Sequence, residues 1–149
     1  MFESLEILIS LEHQRQEIEK IIRDITEPLL HDVVFIQHIH EMVRDIKGLS
    51  KSEERQLFIL LVLLFYSPKK IVIGMKINKR VMKEMCHVTG CSQALLSFYS
   101  KDLVFLYHHY KKFRDCFEYA LDKAADILVS EGVDRSKLYT YIGKFKYGA

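Results

Sequence analysis

The chain has 149 residues, 49% hydrophobic and 28% charged, with a formal net charge of +2 at pH 7. This length predicts one globular domain, alone or with an appended helical arm. The longest apolar run, residues 57–66, is too short to cross a bilayer as a helix, which takes about 20 residues, so the composition argues against a membrane protein.

The first residues and the cysteines bear on location. The N-terminal segment "MFESLEILIS" is acidic where a secretory signal is basic. The three cysteines, Cys86, Cys91 and Cys116, lack the spacing of a disulfide framework, which is typical of a reducing compartment. We therefore expect a cytoplasmic protein.

Charge is distributed unevenly along the chain. Residues 1–54 contain twelve acidic and six basic side chains, whereas residues 55–149 contain eight acidic and sixteen basic ones. This polarity favours a polyanionic partner for the C-terminal two-thirds, although unevenly spread solvated faces would produce the same counts.

The N-terminal third predicts an arm of two helices over residues 1–48, separate from a domain over residues 49–149. In the first helix, positions at steps of three and four form a coiled-coil seam: Leu8, Leu11, Arg15, Ile18, Ile22, Ile25 and Leu29. Pro28 predicts the end of this helix. The seam fits a homodimer paired through Leu11, Ile18, Ile22 and Ile25, or an antiparallel hairpin with a second helix over residues 29–47.

A third helix is predicted by a capping box, in which Ser50 is followed three residues later by Glu53. Residues 57–66 are apolar on every side of this helix, which indicates burial at the centre of the domain. Pro68 predicts its end. The "KIVIGMKI" segment that follows allows a short extended segment or a small hairpin.

The connection after this helix is basic and has no acidic residue. It carries Lys69, Lys70, Lys76, Lys79, Arg80 and Lys83. Such a stretch suits neutralisation of nucleic-acid phosphates, while a solubilising loop is the alternative.

A helical corner follows. Asn78 can cap a helix over residues 79–87, Gly90 can close it in the left-handed conformation, and Ser92 can cap the next helix, "QALLSFYSKDLVFLY". Over residues 79–102 this spacing resembles the helix-turn-helix superfamily of DNA-binding proteins. The matching positions are Cys86, Gly90, Ser92, Leu96 and Ser97. With the preceding capped helix, the layout is similar to sigma-factor region 4 and related regulators.

The resemblance implies contacts with double-stranded DNA. The helix that starts at Ser92 would enter the major groove and reach base edges through Gln93, Ala94, Ser97 and Lys101. Lys79, Arg80 and Lys83 would contact phosphates. An exposed Phe98 would instead favour a protein partner, and a buried one would rotate the helix face.

The C-terminal third predicts further helix. Leu103, Leu106, Tyr110, Phe113, Phe117 and Leu121 have the spacing of one buried helical stripe, which favours core packing over stacking on single-stranded bases. The basic tail from Arg135 predicts either a flexible arm or a last docked helix.

The sequence offers no support for catalysis or a cofactor. Cys86, His87, Cys91 and the His108–His109 pair fit zinc spacing poorly. Neither a phosphate-binding glycine loop nor a nucleophile elbow is present. We expect a non-enzymatic, all-α multi-helix bundle that binds DNA, such as a transcriptional regulator of bacterial or mobile-element type. The alternative is a helical interaction or assembly protein, such as an adaptor or a phage packaging component, in which the corner is structural.

Overall fold

The computed structural model describes residues 2–147, with side chains through Lys146. Within that range the chain is all-helical and contains no strand, so the predicted multi-helix fold is confirmed. The helices are α1 (Phe2–Ile25), α2 (Val34–Arg44), α3 (Lys51–Tyr66), α4 (Pro68–Ile73), α5 (Lys79–Thr89), α6 (Gln93–Tyr99), α7 (Leu103–His109), α8 (Lys111–Ser130) and α9 (Arg135–Tyr147).

Helix α3 is the centre of the packed body. The capping box forms as predicted: the Ser50 Oγ accepts the Glu53 N–H at 3.1 Å, and the Glu53 carboxylate accepts the Ser50 N–H at 3.4 Å. Every residue from Leu57 to Tyr66 is buried. Helices α2, α4, α6 and α8 pack around α3, which explains why this helix is apolar on every side.

Helix α1 projects from this body. None of its residues is buried, and Leu11 and Ile18 are 54% and 57% exposed. The alternative prediction, an antiparallel hairpin in which the first helix packs on the second, is therefore wrong. Helix α1 ends at Ile25, where the Thr26 hydroxyl donates to the Ile22 carbonyl at 2.5 Å, and Pro28 follows as predicted. Leu29 thus lies beyond the helix.

Helix α2 is shorter than the predicted range of 29–47. Residues 26–33 are held by α3 instead: the Leu30 N–H donates to the Phe65 carbonyl at 3.0 Å, and the Tyr66 hydroxyl donates to the Asp32 carbonyl. The Asp32 carboxylate then accepts the Val34 N–H at 3.1 Å, where α2 begins. Helix α2 packs against α3, α5 and α8. The predicted domain boundary at residue 48 places α2 in the arm, and that boundary stays a prediction.

Two other sequence expectations hold only in part. Residues 68–73 form helix α4, with Pro68 in the first turn, where its missing N–H costs nothing, and no hairpin forms in the segment after α3. Core packing over residues 103–121 is confirmed at the buried Leu103, Phe113, Phe117 and Leu121, but the single stripe is interrupted at Tyr110, which takes an extended conformation and is exposed between α7 and α8.

The basic tail docks as helix α9. Leu138, Tyr141 and Ile142 are buried, and the Tyr141 hydroxyl donates to the Leu64 carbonyl of α3. The docked-helix alternative is therefore confirmed for residues 135–147, and residues 148–149 lie outside the described range.

Candidate nucleic-acid interface

Helices α5 and α6 form a tight corner built from local hydrogen bonds. The Asn78 side chain accepts the Arg80 N–H at 2.9 Å, and the Ser92 Oγ accepts the Leu95 N–H at 3.2 Å, so both predicted caps are present. Gly90 has φ +70°, the left-handed conformation that costs glycine nothing, and its N–H donates to the Cys86 carbonyl at 2.9 Å.

Thr89 closes the turn between the two helices. Its hydroxyl donates to the Met85 carbonyl at 2.6 Å and accepts the Cys91 N–H at 3.2 Å. The Cys91 N–H, which lies beyond the end of α5, thereby has a hydrogen-bond partner within the turn.

The corner packs on two neighbouring helices. Val81, Met82 and Met85 of α5 and Leu96 of α6 are buried. Helix α6 packs against α3 and α5, and α5 packs against α2. This packing leaves the opposite sides of α5 and α6 free for solvent.

Tyr99 ties the end of α6 to the start of α3. Its hydroxyl lies 3.4 Å from the Ser52 Oγ and accepts from the Arg55 guanidinium at 3.5 Å, while that guanidinium lies 5.7 Å from the ring centroid. Hydrogen bonds from Ser52 and then Arg55 lower the pKa of the Tyr99 hydroxyl below its ordinary value. The orientation of α6 is thus fixed at both of its ends.

The sequence predicted one continuous helix over "QALLSFYSKDLVFLY". Helix α6 instead ends at Tyr99, and α7 begins at Leu103. The Ser100 hydroxyl donates to the Ser97 carbonyl at 2.8 Å, and such side-chain bonds compete with helical continuation. Residues 100–102 form a turn, after which Leu103 enters the core as part of α7. Lys101 is therefore exposed on this turn and not on the helix itself.

The predicted base-reading residues on α6 spread over about 100° of its surface. At about 100° per residue, Ala94 and Phe98 lie opposite Leu96, Ser97 lies about 100° from Leu96, and Gln93 lies about 60° from it. Gln93 and Ala94 are exposed, Ser97 is half-buried, and Phe98 is 64% exposed. Ser92, which caps the helix, is exposed as well. Exposure of Phe98 leaves the proposed face unrotated and adds an aromatic ring to it.

The predicted phosphate-contacting residues are also on the surface. Lys79, Arg80 and Lys83 form an exposed stripe on α5, with Glu84 half-buried beside it. Lys69 and Lys76 are exposed and Lys70 is half-buried, on α4 and on the segment that links it to α5. Lys69 and Lys70 thus precede Gly74, whereas Lys76 follows it on the segment that leads to α5.

The structure contains a second basic cluster that was not predicted from the sequence. A cleft of about 230 Å³ lies where α2, α3 and the end of α5 meet, and it is lined by Arg44, Lys51, Arg55 and His40 together with Glu54 and Thr89. These cations are separated along the sequence and lie on two helices, so no run of basic residues marks them. Burial, and then the Arg44 charge, lower the pKa of His40, which is therefore neutral at pH 7.

Neither a metal-binding cluster nor a membrane-spanning helix occurs among the described residues. Within residues 2–147, no three histidine, cysteine, aspartate or glutamate side chains come together where they could hold a metal ion. In the same range, no helix has both the length and the apolar character that a bilayer span requires.

Comparison of the chain with protein-family models, with curated proteins and with solved structures returned no match.

Proposed function

We propose that this protein binds double-stranded DNA and acts as a transcriptional regulator, with α6 entering the major groove. The observation that carries the proposal is the pairing of two exposed features on one corner, a polar face on α6 and a basic stripe on α5. A major groove is wide enough for one helix, and flanking lysine and arginine side chains set its register by contacting phosphates.

The residues divide by role. Gln93 can pair with adenine through its amide, and Ala94 can contact a thymine methyl group. Ser97 can accept from or donate to a base edge, and Lys101 reaches the groove from the turn after α6. The phosphate contacts fall to Lys79, Arg80 and Lys83, joined by Lys69, Lys70 and Lys76.

Helix α1 supplies the proposed homodimer contact. Leu11 and Ile18 present an uncovered seam, and Ile22 and Ile25 are half-buried where α1 approaches the body. Arg15 sits in the same seam, bound at 2.5 Å by both Glu12 and Glu19, and a single polar seam residue of this kind fixes register in coiled coils. A dimer would present two corners to two half-sites.

Phe98 favours a second candidate, a helical interaction or assembly protein. A large aromatic ring that is 64% exposed on the outer side of α6 is a common anchor for protein partners. On the DNA-binding proposal the same ring contacts a thymine methyl group. The Phe98→Ala variant separates the two candidates: it weakens sequence preference for DNA in the first case, whereas in the second the unmodified protein binds no duplex and the variant loses contact with a protein partner.

The test begins with selection of bound duplexes from a random library, followed by affinity measurements between about 50 and 200 mM salt, a range over which several phosphate contacts produce a steep loss. The Gln93→Ala, Ser97→Ala double variant should lose about 1–3 kcal/mol for each base contact removed at the selected site. Its affinity for unrelated DNA should not change.

The matched control is Gln16→Ala with Ser130→Ala, which truncates the same residue types at exposed positions on α1 and at the end of α8. It should behave as the unmodified protein. Absence of duplex binding at low salt, or equal losses on selected and unrelated DNA, would contradict reading by α6.

A further inference from the structure

The cleft at the junction of α2, α3 and α5 concentrates positive charge. Arg44, Lys51 and Arg55 line it with one carboxylate, that of Glu54. In the described range, no carboxylate lies within ion-pair distance of these three cations, since the ion pairs present are those of Arg15 and Lys112. Cations that converge on a concavity without pairing lack the counter-charge that an anion would supply.

The cations are held in place by the corner. Arg55 is fixed by the Tyr99 hydroxyl and ring, and Thr89, whose hydroxyl closes the turn, forms part of the cleft wall. A guanidinium whose position is already fixed loses little conformational entropy when it binds an anion, and its planar donor array matches phosphate oxygens.

The cleft continues into the basic stripe of α5. A neighbouring depression, also of about 230 Å³, is lined by His40 and Arg44 on one side and by His87 and Val88 on the other, with Gln37 and Glu41 at its edge. His87 follows Lys83 by one helical turn on the exposed side of α5. Lys79, Lys83, His87 and then Arg44 thus form a continuous track that ends in the cleft.

The size of the cleft limits its ligand. Sites for drug-sized molecules enclose about 300–1,000 Å³, and this cleft is smaller. It suits a single compact anionic group whose remaining atoms stay outside.

We propose that the α2–α3–α5 cleft binds a phosphate group, and, resting on the proposed function, that this phosphate belongs to the DNA backbone beside the corner. Arg44 and Lys51 reach it from α2 and α3, and Arg55 binds it from the side of Tyr99. The cleft thereby adds a phosphate contact at the C-terminal end of α5, opposite the contacts of Lys79 and Arg80. A free phosphorylated compound has the same chemistry, and the experiment below distinguishes the two sources.

The variant Arg44→Gln, Lys51→Gln removes two cations from exposed side chains and so leaves the fold intact. Its matched control, Lys123→Gln with Lys137→Gln, removes the same charge from exposed positions on α8 and α9. Arg44→Lys with Lys51→Arg keeps the charge. Circular dichroism and the thermal midpoint are measured for each variant to test that it folds.

The first measurement titrates inorganic phosphate while the imidazole resonances of His40 are followed by NMR, because His40 lines the cleft. Saturable shifts are expected in the unmodified protein, together with a rise in the pKa of His40, since a neighbouring anion favours the imidazolium form. The cleft variant should lose about tenfold or more in phosphate affinity, and the control should lose none.

The second measurement is the salt dependence of duplex binding. Removing this one phosphate contact should reduce the slope of log K against log salt by about 0.9 in the cleft variant, which makes the affinity about 3.5-fold less sensitive to a fourfold rise in salt. The control should keep the slope of the unmodified protein.

Each outcome is decisive. Phosphate binding with a reduced slope supports a DNA phosphate, and phosphate binding with an unchanged slope assigns the cleft to a free phosphorylated compound. Phosphate binding in a protein that binds no duplex would leave the cleft standing and overturn the proposed function alone. No saturable His40 shift together with an unchanged slope, or equal losses in variant and control, would overturn the cleft proposal.

Discussion

Helices α1 and α3 are both rich in leucine and isoleucine, yet their surroundings are opposite. In α3 ten consecutive residues are buried, and four helices pack around them. In α1 no residue is buried, and Leu5, Leu8 and Ile9 are more than half exposed. Hydrophobic content alone therefore does not decide burial. What differs is the pattern, which is apolar on all sides in α3 and a single stripe over the second half of α1.

The difference also concerns what stabilises each helix. Most helical stability in proteins comes from packing of an apolar face, and α3 has that packing within its own chain. Helix α1 has ion pairs between Arg15 and both Glu12 and Glu19, and solvent-exposed pairs of this kind contribute little to stability. Its exposed stripe gains stability only from a partner outside the chain, which the proposed second copy supplies.

The largest expected effect is on the affinity of the dimer that α1 forms. Ile18→Asp with Ile22→Asp removes four isoleucines from a paired seam, each contributing about 1.5–3 kcal/mol, so the dimer should weaken by about 6 kcal/mol or more, about ten-thousandfold. Sedimentation should show a monomer with the unfolding midpoint of the body unchanged.

The control for this pair is His13→Asp with Lys20→Gln, which makes the same charge change on the opposite side of α1. It should keep the oligomeric state of the unmodified protein. An unmodified protein that already sediments as a monomer would contradict the dimer, and a loss of body stability in the Asp variant would mean that α1 packs within its own chain.

The second effect is on the body. Leu61→Ala in α3 removes a fully buried side chain and leaves a cavity, which should reduce the free energy of unfolding by about 3–5 kcal/mol. Leu11→Ala in α1 is the same chemical change at an exposed position and should cost less than about 0.5 kcal/mol when measured on the monomer. Urea denaturation of both variants at low protein concentration compares them, and similar losses would contradict the separation of arm and body.

Features that depend on neighbouring residues were predictable from the sequence. Ser50, Asn78 and Ser92 cap helices, and Gly90 closes one, because each of these interactions involves groups at most four residues away. The burial of α3 was predictable because a helix apolar on all sides has no side for water. The exposed stripe of α5 followed from the same periodicity.

Features that depend on the whole fold were not predictable. The apolar period runs through Tyr110, yet the chain turns there because α7 and α8 pack against each other and cannot form one straight helix. The segment before α2 is held by hydrogen bonds from Leu30 and Tyr66 that join distant parts of the sequence. The basic cleft joins residues of α2 and α3 whose sequence neighbours are acidic, so only the packing of those helices brings Arg44 beside Lys51 and Arg55.

The smallest expected effect is a pH dependence of the free energy of unfolding of the body, which depends on His40 and not on the control position His13 of α1. His40 is half-buried on α2, with its ring 5.0 Å from that of Phe58, and burial lowers its pKa below the value of about 6.5 that it has when unfolded. The charged groups that face it are Arg44 and Glu41 on α2, Lys51, Glu54 and Arg55 on α3, and His87 on α5.

Because the folded state binds this proton less readily than the unfolded state, neutral His40 contributes stability that is fully present above the unfolded pKa and is lost as the pH falls through the folded pKa. The free energy of unfolding of the body should therefore fall on acidification below about pH 6.5, and less so in His40→Gln. His13, exposed on α1, is the control position, and His13→Gln should leave the pH profile of the body unchanged. Urea midpoints measured across this range test the sign, and a profile that His40→Gln does not flatten would mean that the pH sensitivity of the body arises elsewhere than in the cleft.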